Sequence, residues 1–251
     1  MLSSPRLFFI VPVLNESPNI PRLMSNLGEL RGSLDGQFAC RILFVDDGST
    51  DDTVAQITRH RGLHSVEVLT HPINRGPGAA FGSAFAHLRP LLQESDWVVT
   101  LEGDNTSRIE TLRQMLVRRL EGFDVVLASP YAYGGGITQT SLFRIFLSHI
   151  ANTLIKEFLG IRGIFTMSSF FRLYRGPIIL KLQERYGAEI VETSGFECMI
   201  ELLAKLIRVG ATISEVAMPL DGSQRIGKSK MKILRTIGGY LRVFQISRKW
   251  N

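Results

Sequence analysis

Short apolar runs alternate with amphipathic stretches over the first 128 residues. Five runs rich in β-branched and aromatic residues predict strands at Phe8–Leu14, Arg41–Asp46, Val66–Thr70, Trp97–Leu101 and Val125–Ala128. Apolar residues at helical spacing predict helices between them at Ile20–Leu30, Thr53–Arg61, Ala79–Leu88 and Ile109–Leu120. This repeated order requires an α/β fold, with a mostly parallel central sheet and helices on both faces. Ligands of such sheets bind beyond the carboxyl ends of the strands.

Composition narrows the class of protein further. The chain has 251 residues, of which 45% are hydrophobic and 21% are charged, as in an ordinary globular core. Its two cysteines, Cys40 and Cys198, exclude a disulfide framework and are expected to be buried packing residues, which suits a reducing compartment. The first residues are predicted to enter a strand rather than to form a signal peptide.

Positive charge is concentrated at the end of the chain. Eight basic residues and no acid follow position 223: Arg225, Lys228, Lys230, Lys232, Arg235, Arg242, Arg248 and Lys249. Removing these eight charges from the net charge of +6 leaves a net charge of −2 on the first 223 residues. Such a block can bind anionic lipid, a diphosphate or nucleic acid. Nucleic acid ranks last, because no zinc-finger, RNP or helix-turn-helix signature accompanies it.

A long amphipathic stretch, Ser141–Leu159, follows the glycine-rich connector Gly134-Gly135-Gly136. Charged residues interrupt it too often for a membrane span, which needs about 20 mainly apolar residues. Two interpretations remain open, a core helix and a helix that lies at a membrane interface.

Two acidic motifs follow predicted strands. Asp46 and Asp47 begin the segment Asp46–Thr53, whose later residues can cap the next helix. Capping does not explain two adjacent carboxylates at a strand end, so we predict that they bind a ligand such as a base or ribose. After the fourth strand, Glu102 and Asp104 flank a glycine, and close carboxylates of this kind suit Mg²⁺ or Mn²⁺ bridged to phosphates.

A glycine-rich segment, residues 74–82, follows the third predicted strand. A dinucleotide-binding fingerprint should follow the first strand, so this position argues against a dehydrogenase. A glycine-rich turn that enters a helix is still a suitable neighbour for a phosphate or ribose, which makes Arg75 and Gly76 candidate ligand-binding residues.

Together these motifs resemble the family 2 glycosyltransferases, most closely the polyprenyl-phosphate branch of dolichol-phosphate mannose synthase-like enzymes. The matching segments are residues 11–16 (VPVLNE), 46–53 (DDGSTDDT), 74–80 (NRGPGAA), 102–104 (EGD), 169–174 (SFFRLY), 194–197 (SGFE), 215–216 (EV) and 225–231 (RIGKSKM). The resemblance covers almost the whole chain and implies a GT-A-type nucleotide-sugar-binding fold. It implies a single domain, residues 1–251, with a nucleotide-sugar-binding half (1–128), an acceptor half (129–223) and a basic segment (224–251).

The resemblance also implies roles for individual residues. Candidate donor-binding residues are Pro12, Glu16, Asp46, Asp47, Arg75, Gly76 and Glu102. Asp104, with Glu102, is expected to hold Mg²⁺ or Mn²⁺ on the donor diphosphate, while Arg225 is expected to contact a phosphate from a loop. Asp104 and Arg225 are therefore the catalytic candidates. Candidate acceptor-binding residues are Arg144, Ser148, Glu197, Lys228 and Lys230.

The expected reaction moves a sugar, with inversion, from GDP-mannose or a UDP-hexose to a polyprenyl or dolichyl phosphate. Such a phosphate is already largely ionised near neutral pH, because its second pKa is about 6, and needs no base. That agrees with Phe196-Glu197-Cys198, which lacks the Glu-Asp pair of relatives that glycosylate hydroxyls. The protein is expected at the cytoplasmic face of a membrane, held peripherally by its surface or by a membrane subunit.

Two alternatives stay open. One is a hydroxyl acceptor on a saccharide, with Glu197 as the base. The other is a catalytically weak nucleotide-sugar-binding protein, suggested by Glu102, Thr106 and Pro130, where the family often has Asp, Gln and Arg.

Overall fold

The computed structural model describes residues 4–60, 65–139, 142–187, 190–227 and 233–250, with side chains except those of residues 142–149, 151 and 233–237. The strands are β1 (Arg6–Val13), β2 (Ala39–Asp46), β3 (Val66–Thr70), β4 (Trp97–Thr100), β5 (Val125–Ser129), β6 (Gly136–Thr138), β7 (Arg172–Arg175), β8 (Ile213–Ala217) and β9 (Pro219–Asp221). The helices are α1 (Ile20–Ser33), α2 (Thr53–His60), α3 (Pro77–Leu88), α4 (Thr111–Arg118), α5 (Leu142–Leu159), α6 (Gly176–Tyr186), α7 (Cys198–Arg208) and α8 (Ile233–Ser247).

Seven strands form the central sheet in the order β3-β2-β1-β4-β7-β5-β8. Every pairing is parallel except the two that involve β7, which runs against both β4 and β5. The predicted mostly parallel sheet is therefore confirmed. All five predicted strands are present, with bounds that differ by no more than two residues.

Helices cover both faces of this sheet, as predicted. Phe8 and Ile10 of β1 pack with α3, α6 and α7 on one face, whereas Leu7, Phe9 and Val11 pack with α1, α2 and α4 on the other. Alternate side chains of a strand point to opposite faces, so a strand buried on both faces is a continuous apolar run. This burial explains why β1 shows no polar alternation.

Strand β7 was not predicted. It inserts between β4 and β5, so a strand from beyond residue 128 completes the sheet built by the first half. Arg172 at its start is fully buried and donates hydrogen bonds to the carbonyl oxygens of Ser169 and Met167. The predicted division into residues 1–128, 129–223 and 224–251 stays a prediction.

Strands β6 and β9 and helices α5 and α8 complete the described elements. Strands β6 and β9 make a parallel two-stranded sheet, and α5 contacts α8 through the rings of Phe158 and Phe244, whose centroids are 5.3 Å apart. Within the described ranges no helix combines the length and apolar character needed to cross a membrane. Cys40 and Cys198 are buried free thiols, as predicted.

Candidate active site

The sequence motifs meet at the carboxyl ends of β2, β1 and β4, which are neighbours in the sheet. The chain continues from β1 to β2 on one side, whereas β4 lies on the other side of β1. Ligands bind at such a reversal of strand order in open α/β sheets. Glu16 follows β1, Asp46 and Asp47 end β2, and Glu102 and Asp104 follow β4, so the topology places the predicted donor residues around one crevice.

Asp47 organises the glycine-rich segment. Its buried carboxylate accepts hydrogen bonds from the backbone amides of Arg75 (3.0 Å) and Gly76 (2.7 Å) and lies 2.7 Å from His71 Nδ1. Asp46 accepts one from the Ser49 amide at 3.2 Å. The protein's own amides thus stabilise both carboxylates without a ligand, so their contact with a donor stays a prediction.

The glycines of that segment allow close packing. A Cβ at Gly76 would lie 2.2 Å from the Ser194 carbonyl oxygen, and one at Gly78 would lie 1.9 Å from that of Thr193. Gly76 also has a φ of 95°, which favours glycine. Residues 193–194 therefore pack directly against this turn. The predicted role of Gly76 toward a donor is a separate matter and stays a prediction.

Arg75 borders an open groove between α3 and the segment before α7. The groove has a volume of about 390 Å³, and Ser83, Glu192, Thr193 and Ser194 are among its lining residues. It lies beside the packed glycine turn. The position of Arg75 beside this groove does not test its predicted contact with the donor, which stays a prediction.

Glu102 and Asp104 directly follow β4 at this end of the sheet. Glu102 accepts a hydrogen bond of 2.6 Å from the Ser107 hydroxyl, and burial together with the charge of Asp104 raises the pKa of its carboxyl group. Asp104 Oδ1 accepts from the Thr106 amide and hydroxyl, at 3.1 and 2.7 Å. Gly103 between them allows close packing, because a Cβ there would lie 2.8 Å from Val13 Cγ1 and would force Val13 to move.

Arg225 pairs directly with Asp104. Its Nε donates to Asp104 Oδ2 at 2.7 Å, and its Nη2 contacts the same oxygen. The two residues are 121 positions apart in the sequence, and the loop after β9 brings them together. The structure thus joins the two catalytic candidates.

Glu197 lies at the start of α7 and faces α8. It is buried, accepts a 3.2 Å hydrogen bond from the Gly195 amide, and leaves no room for a Cβ at Gly239 of α8. Tyr240 follows Gly239 on α8. Burial, together with the charges of Glu197 and Tyr131, raises the pKa of Tyr240 to about 12. Glu197 is therefore placed where α7 and α8 meet.

The other predicted residues are less fully described. Pro12 is half-buried in β1, opposite Val45 of β2. Arg144 and Ser148 belong to α5, but their side chains are outside the described part of the structure. Lys228 and Lys230 lie outside the described residues altogether.

Asn19 and His71 were missed by the sequence analysis. Asn19 contacts Glu16, Asn105 and the loop that carries Arg225, whereas His71 joins Asp47 to the Ser83 hydroxyl. Each lies three positions from a predicted motif, Asn19 at the start of α1 and His71 at the carboxyl end of β3. This position near a motif is the sequence feature that could have identified them as site residues.

Comparison with known families identifies the class of protein to which the chain belongs. Residues 8–182 match the model of the family described as glycosyl transferase family 2. The chain belongs to glycosyl transferase family 2. The family and the enzyme class predicted from the motifs are thereby confirmed, and the chain is a glycosyltransferase.

Two relatives act on polyprenyl carriers according to their names. The chain is 28% identical to the polyprenol monophosphomannose synthase of Mycolicibacterium smegmatis, and the match covers 90% of this chain and 81% of that protein. The undecaprenyl-phosphate 4-deoxy-4-formamido-L-arabinose transferase of Salmonella choleraesuis is 29% identical over 91% of this chain. This chain spans 63% of the length of the second relative.

Solved structures confirm the GT-A fold of this family 2 chain. Glucosyl-3-phosphoglycerate synthase of Mycobacterium tuberculosis, in complex with phosphoglyceric acid, superposes with a TM-score of 0.64 at 18% identity, over 98% of this chain and 80% of that one. A complex of that synthase with Mn²⁺, UDP and glucosyl-3-phosphoglycerate gives a TM-score of 0.63 at 19% identity, over 97% and 80%.

Proposed function

We propose that this glycosyltransferase moves a sugar, with inversion, from GDP-mannose or a UDP-hexose to a polyprenyl or dolichyl phosphate at the cytoplasmic face of a membrane. One observation carries the proposal: Glu102, Asp104 and Arg225 come together at the carboxyl end of β4. Two carboxylates and a guanidinium at one point suit a diphosphate that departs with a divalent cation. The names of the two polyprenyl relatives support the acceptor.

The residues present fit a divalent cation. Glu102 and Asp104 offer hard oxygen ligands. Burial and, after it, the charge of Asp104 raise the pKa of Glu102, and a cation would favour its charged form. Beside them, Asn105 Oδ1 is a buried acceptor without a hydrogen-bond partner among the described residues. In those same parts of the chain, no group of three or more His, Cys, Asp or Glu side chains could hold a metal. Mg²⁺ and Mn²⁺ sites of this kind take their other ligands from substrate phosphates and water.

Asp104 and Glu102 would hold Mg²⁺ or Mn²⁺, which, when bound, neutralises charge on the donor diphosphate. Arg225 is placed to donate hydrogen bonds to the same diphosphate as the bond from the anomeric carbon to its oxygen breaks. An acceptor phosphate oxygen forms the new bond to that carbon from the opposite side. Because this oxygen is already ionised, no residue of the chain has to take a proton.

Arg144 and Ser148 of α5, with Lys228 and Lys230, are proposed to bind the acceptor phosphate. Glu197 belongs to the hydroxyl-acceptor alternative, in which it would take the proton. Its burial beside Gly239 limits the access of a hydroxyl substrate to its carboxylate. We therefore favour the phosphate acceptor.

Release of nucleoside diphosphate from a panel of nucleotide sugars tests the proposal. Each donor is incubated with Mg²⁺ or Mn²⁺, with polyprenyl phosphate, with a saccharide acceptor, or with neither. Release that requires polyprenyl phosphate, and a product of inverted configuration, support it. Release that requires the saccharide instead would establish the hydroxyl alternative, and donor binding without release would establish a binding protein.

A further inference from the structure

Asn19 connects three parts of the candidate active site. The residue is 1% exposed at the start of α1, directly after the segment that contains Glu16. Its side-chain Nδ2 donates to Glu16 Oε2 at 2.6 Å, and its carbonyl oxygen accepts a 3.0 Å hydrogen bond from Asn105 Nδ2. Asn105 directly follows Asp104. Asn19 thus links the β1 and β4 loops.

The third connection reaches the loop that carries Arg225. The Ile226 amide donates to Asn19 Oδ1 at 3.0 Å, while Asn19 Nδ2 donates to the Ile226 carbonyl oxygen at 3.1 Å. One amide side chain therefore binds both main-chain groups of the residue next to Arg225. The Ile226 side chain is 58% exposed, so these hydrogen bonds, rather than apolar burial, hold this residue.

Helix capping does not explain Asn19. Asparagine is favoured at a helix N-cap because its side chain accepts a hydrogen bond from an amide of the first turn. Asn19 is at the N-cap of α1, yet its side chain makes no capping hydrogen bond. The side chain is directed to a loop 207 residues away instead.

We infer that Asn19 is a positioning residue that clamps the Ile226 main chain and so holds the Arg225 guanidinium at Asp104. Its effect on catalysis rests on the proposed function, whereas the clamp itself does not. A loop held in this way presents Arg225 in one orientation, so less ordering is needed when the diphosphate departs. Releasing the clamp should slow the chemical step more than it weakens donor binding.

Hydrogen exchange of the Ile226 amide in the full chain without substrate tests the clamp. Loss of its acceptor in Asn19→Ala should accelerate this exchange roughly tenfold, as expected for one hydrogen bond. The matched control is Gln183→Ala, which removes another buried amide, one that donates to the Phe85 carbonyl oxygen at 2.8 Å in the core. Unchanged exchange in Asn19→Ala, or equal acceleration in Gln183→Ala, would overturn the clamp.

A second variant removes the same hydrogen bond from the other side. Ile226→Pro lacks the amide that Asn19 accepts from, and Arg225 already has the extended backbone (φ −76°, ψ 129°) that a residue before proline adopts. If Asn19→Ala fails to fold, Ile226→Pro should still lower kcat while leaving the donor KM within about twofold of wild type. A wild-type kcat in Ile226→Pro would contradict the inference.

A double-mutant cycle tests whether the clamp acts through Arg225. Asn19→Ala alone should lower kcat on the order of tenfold, whereas adding it to Arg225→Ala should lower kcat no further. Additive losses would show that Asn19 does not act through Arg225 and would overturn the catalytic part. If the wild-type protein transfers no sugar, the proposed function fails, and the exchange measurement still decides whether the clamp exists.

Discussion

The buried carboxylates at this site differ in the partners that they contact. Asp47 is bound by backbone amides and is placed to shape a loop, whereas Asp104 Oδ2 is paired only with the guanidinium of Arg225 in the contacts described above. A ligand can join the second kind of contact, because it involves side chains alone. Asp104 is therefore the residue at which substitution should separate function from folding.

Asp104→Asn should abolish metal-dependent donor binding and lower activity by on the order of a hundredfold while the fold survives. The amide oxygen of asparagine can still accept from Thr106, but the charge that pairs with Arg225, and that we propose holds a cation, is lost. Calorimetric titration of donor with Mn²⁺ measures the effect. Asp124 directly precedes β5, at the end of the sheet opposite to the site. Asp124→Asn is therefore the matched control and should bind donor as wild type does. Unchanged metal-dependent binding in Asp104→Asn would place the metal elsewhere.

The two thiols should be inert in the folded protein. Burial raises the pKa of Cys40 from 9.0 to about 11, and burial with the charge of Glu201 raises that of Cys198 as well. At pH 8 only about one Cys40 in a thousand is then a thiolate, the reactive form. A colorimetric disulfide reagent should modify neither thiol in the native chain and both after unfolding in urea. Rapid reaction of one equivalent at pH 8 would contradict this prediction.

The raised pKa of Cys40 has a consequence for stability. Some thiols have a higher pKa in the folded chain than in the unfolded chain. Such a thiol contributes its full stabilisation at pH values below the unfolded pKa, and this contribution is lost as the pH rises through the folded pKa. The free energy of unfolding should therefore decrease between pH 9 and 11, and less so in Cys40→Ala, when both are measured by urea titration.

At the scale of elements, a buried ionic network fixes α7 and the segment before it. Lys205 is fully buried, with Nζ 2.7 Å from Glu201 and 2.8 Å from Glu192. Glu201 in turn accepts hydrogen bonds from the amides of Glu192 and Thr193. This network sets the position of residues 193–194, which pack on the glycine turn of α3.

Lys205→Ala should lower the free energy of unfolding by about 3–5 kcal/mol, because it leaves the buried carboxylate of Glu201 without its cation. Arg118→Ala removes an exposed ion pair with Glu121 and should lower it by about 1 kcal/mol or less. Guanidinium titrations of both variants give the comparison. Equal losses would mean that the buried network contributes no more than a surface pair.

Helix α5 carries the predicted acceptor contacts. Arg144 and Ser148 are one turn apart, so they share a helix face and should meet the same ligand. Arg144→Ala should raise the KM for polyprenyl phosphate several-fold more than the KM for the nucleotide sugar. Steady-state kinetics in both substrates, with Lys156→Ala on the same helix as control, test this. Equal effects on both KM values, or none, would return α5 to a packing role.

At the scale of the whole molecule, the sequence predicts those features that depend on local pattern. Apolar runs identified β1, β2, β4 and β5, because a strand buried on both faces needs little else, and β-branched residues identified the partly exposed edge strand β3. The reversed strand β7 was missed, since its four residues include two arginines, one of which is buried by contacts to Ser169 and Met167. The pairing of Arg225 with Asp104 and of Asn19 with Ile226 spans 121 and 207 residues, so no local pattern contains either.

One surface of the molecule suits contact with a membrane. Ile150, Leu154 and Phe158 recur every four residues on α5 and are 40%, 51% and 58% exposed, while Leu241 on α8 is 59% exposed. The interpretation of this stretch as an ordinary core helix does not fit its exposed half. The contact of Phe158 with Phe244 joins the two helices, and α8 belongs to the basic segment.

The protein should therefore bind anionic vesicles through this surface and release them in salt. Each Lys or Arg near an anionic leaflet contributes about 1 kcal/mol, and at 1 M salt the screening length falls to about 3 Å. Sedimentation with anionic and neutral vesicles at low and high salt measures the binding. Leu154→Glu should weaken it, whereas Leu120→Glu, at a residue 73% exposed after α4, should not. Protein that stays in the supernatant with anionic vesicles at low salt would exclude attachment through this surface, and a separate membrane subunit would then have to bring the enzyme to the proposed lipid acceptor.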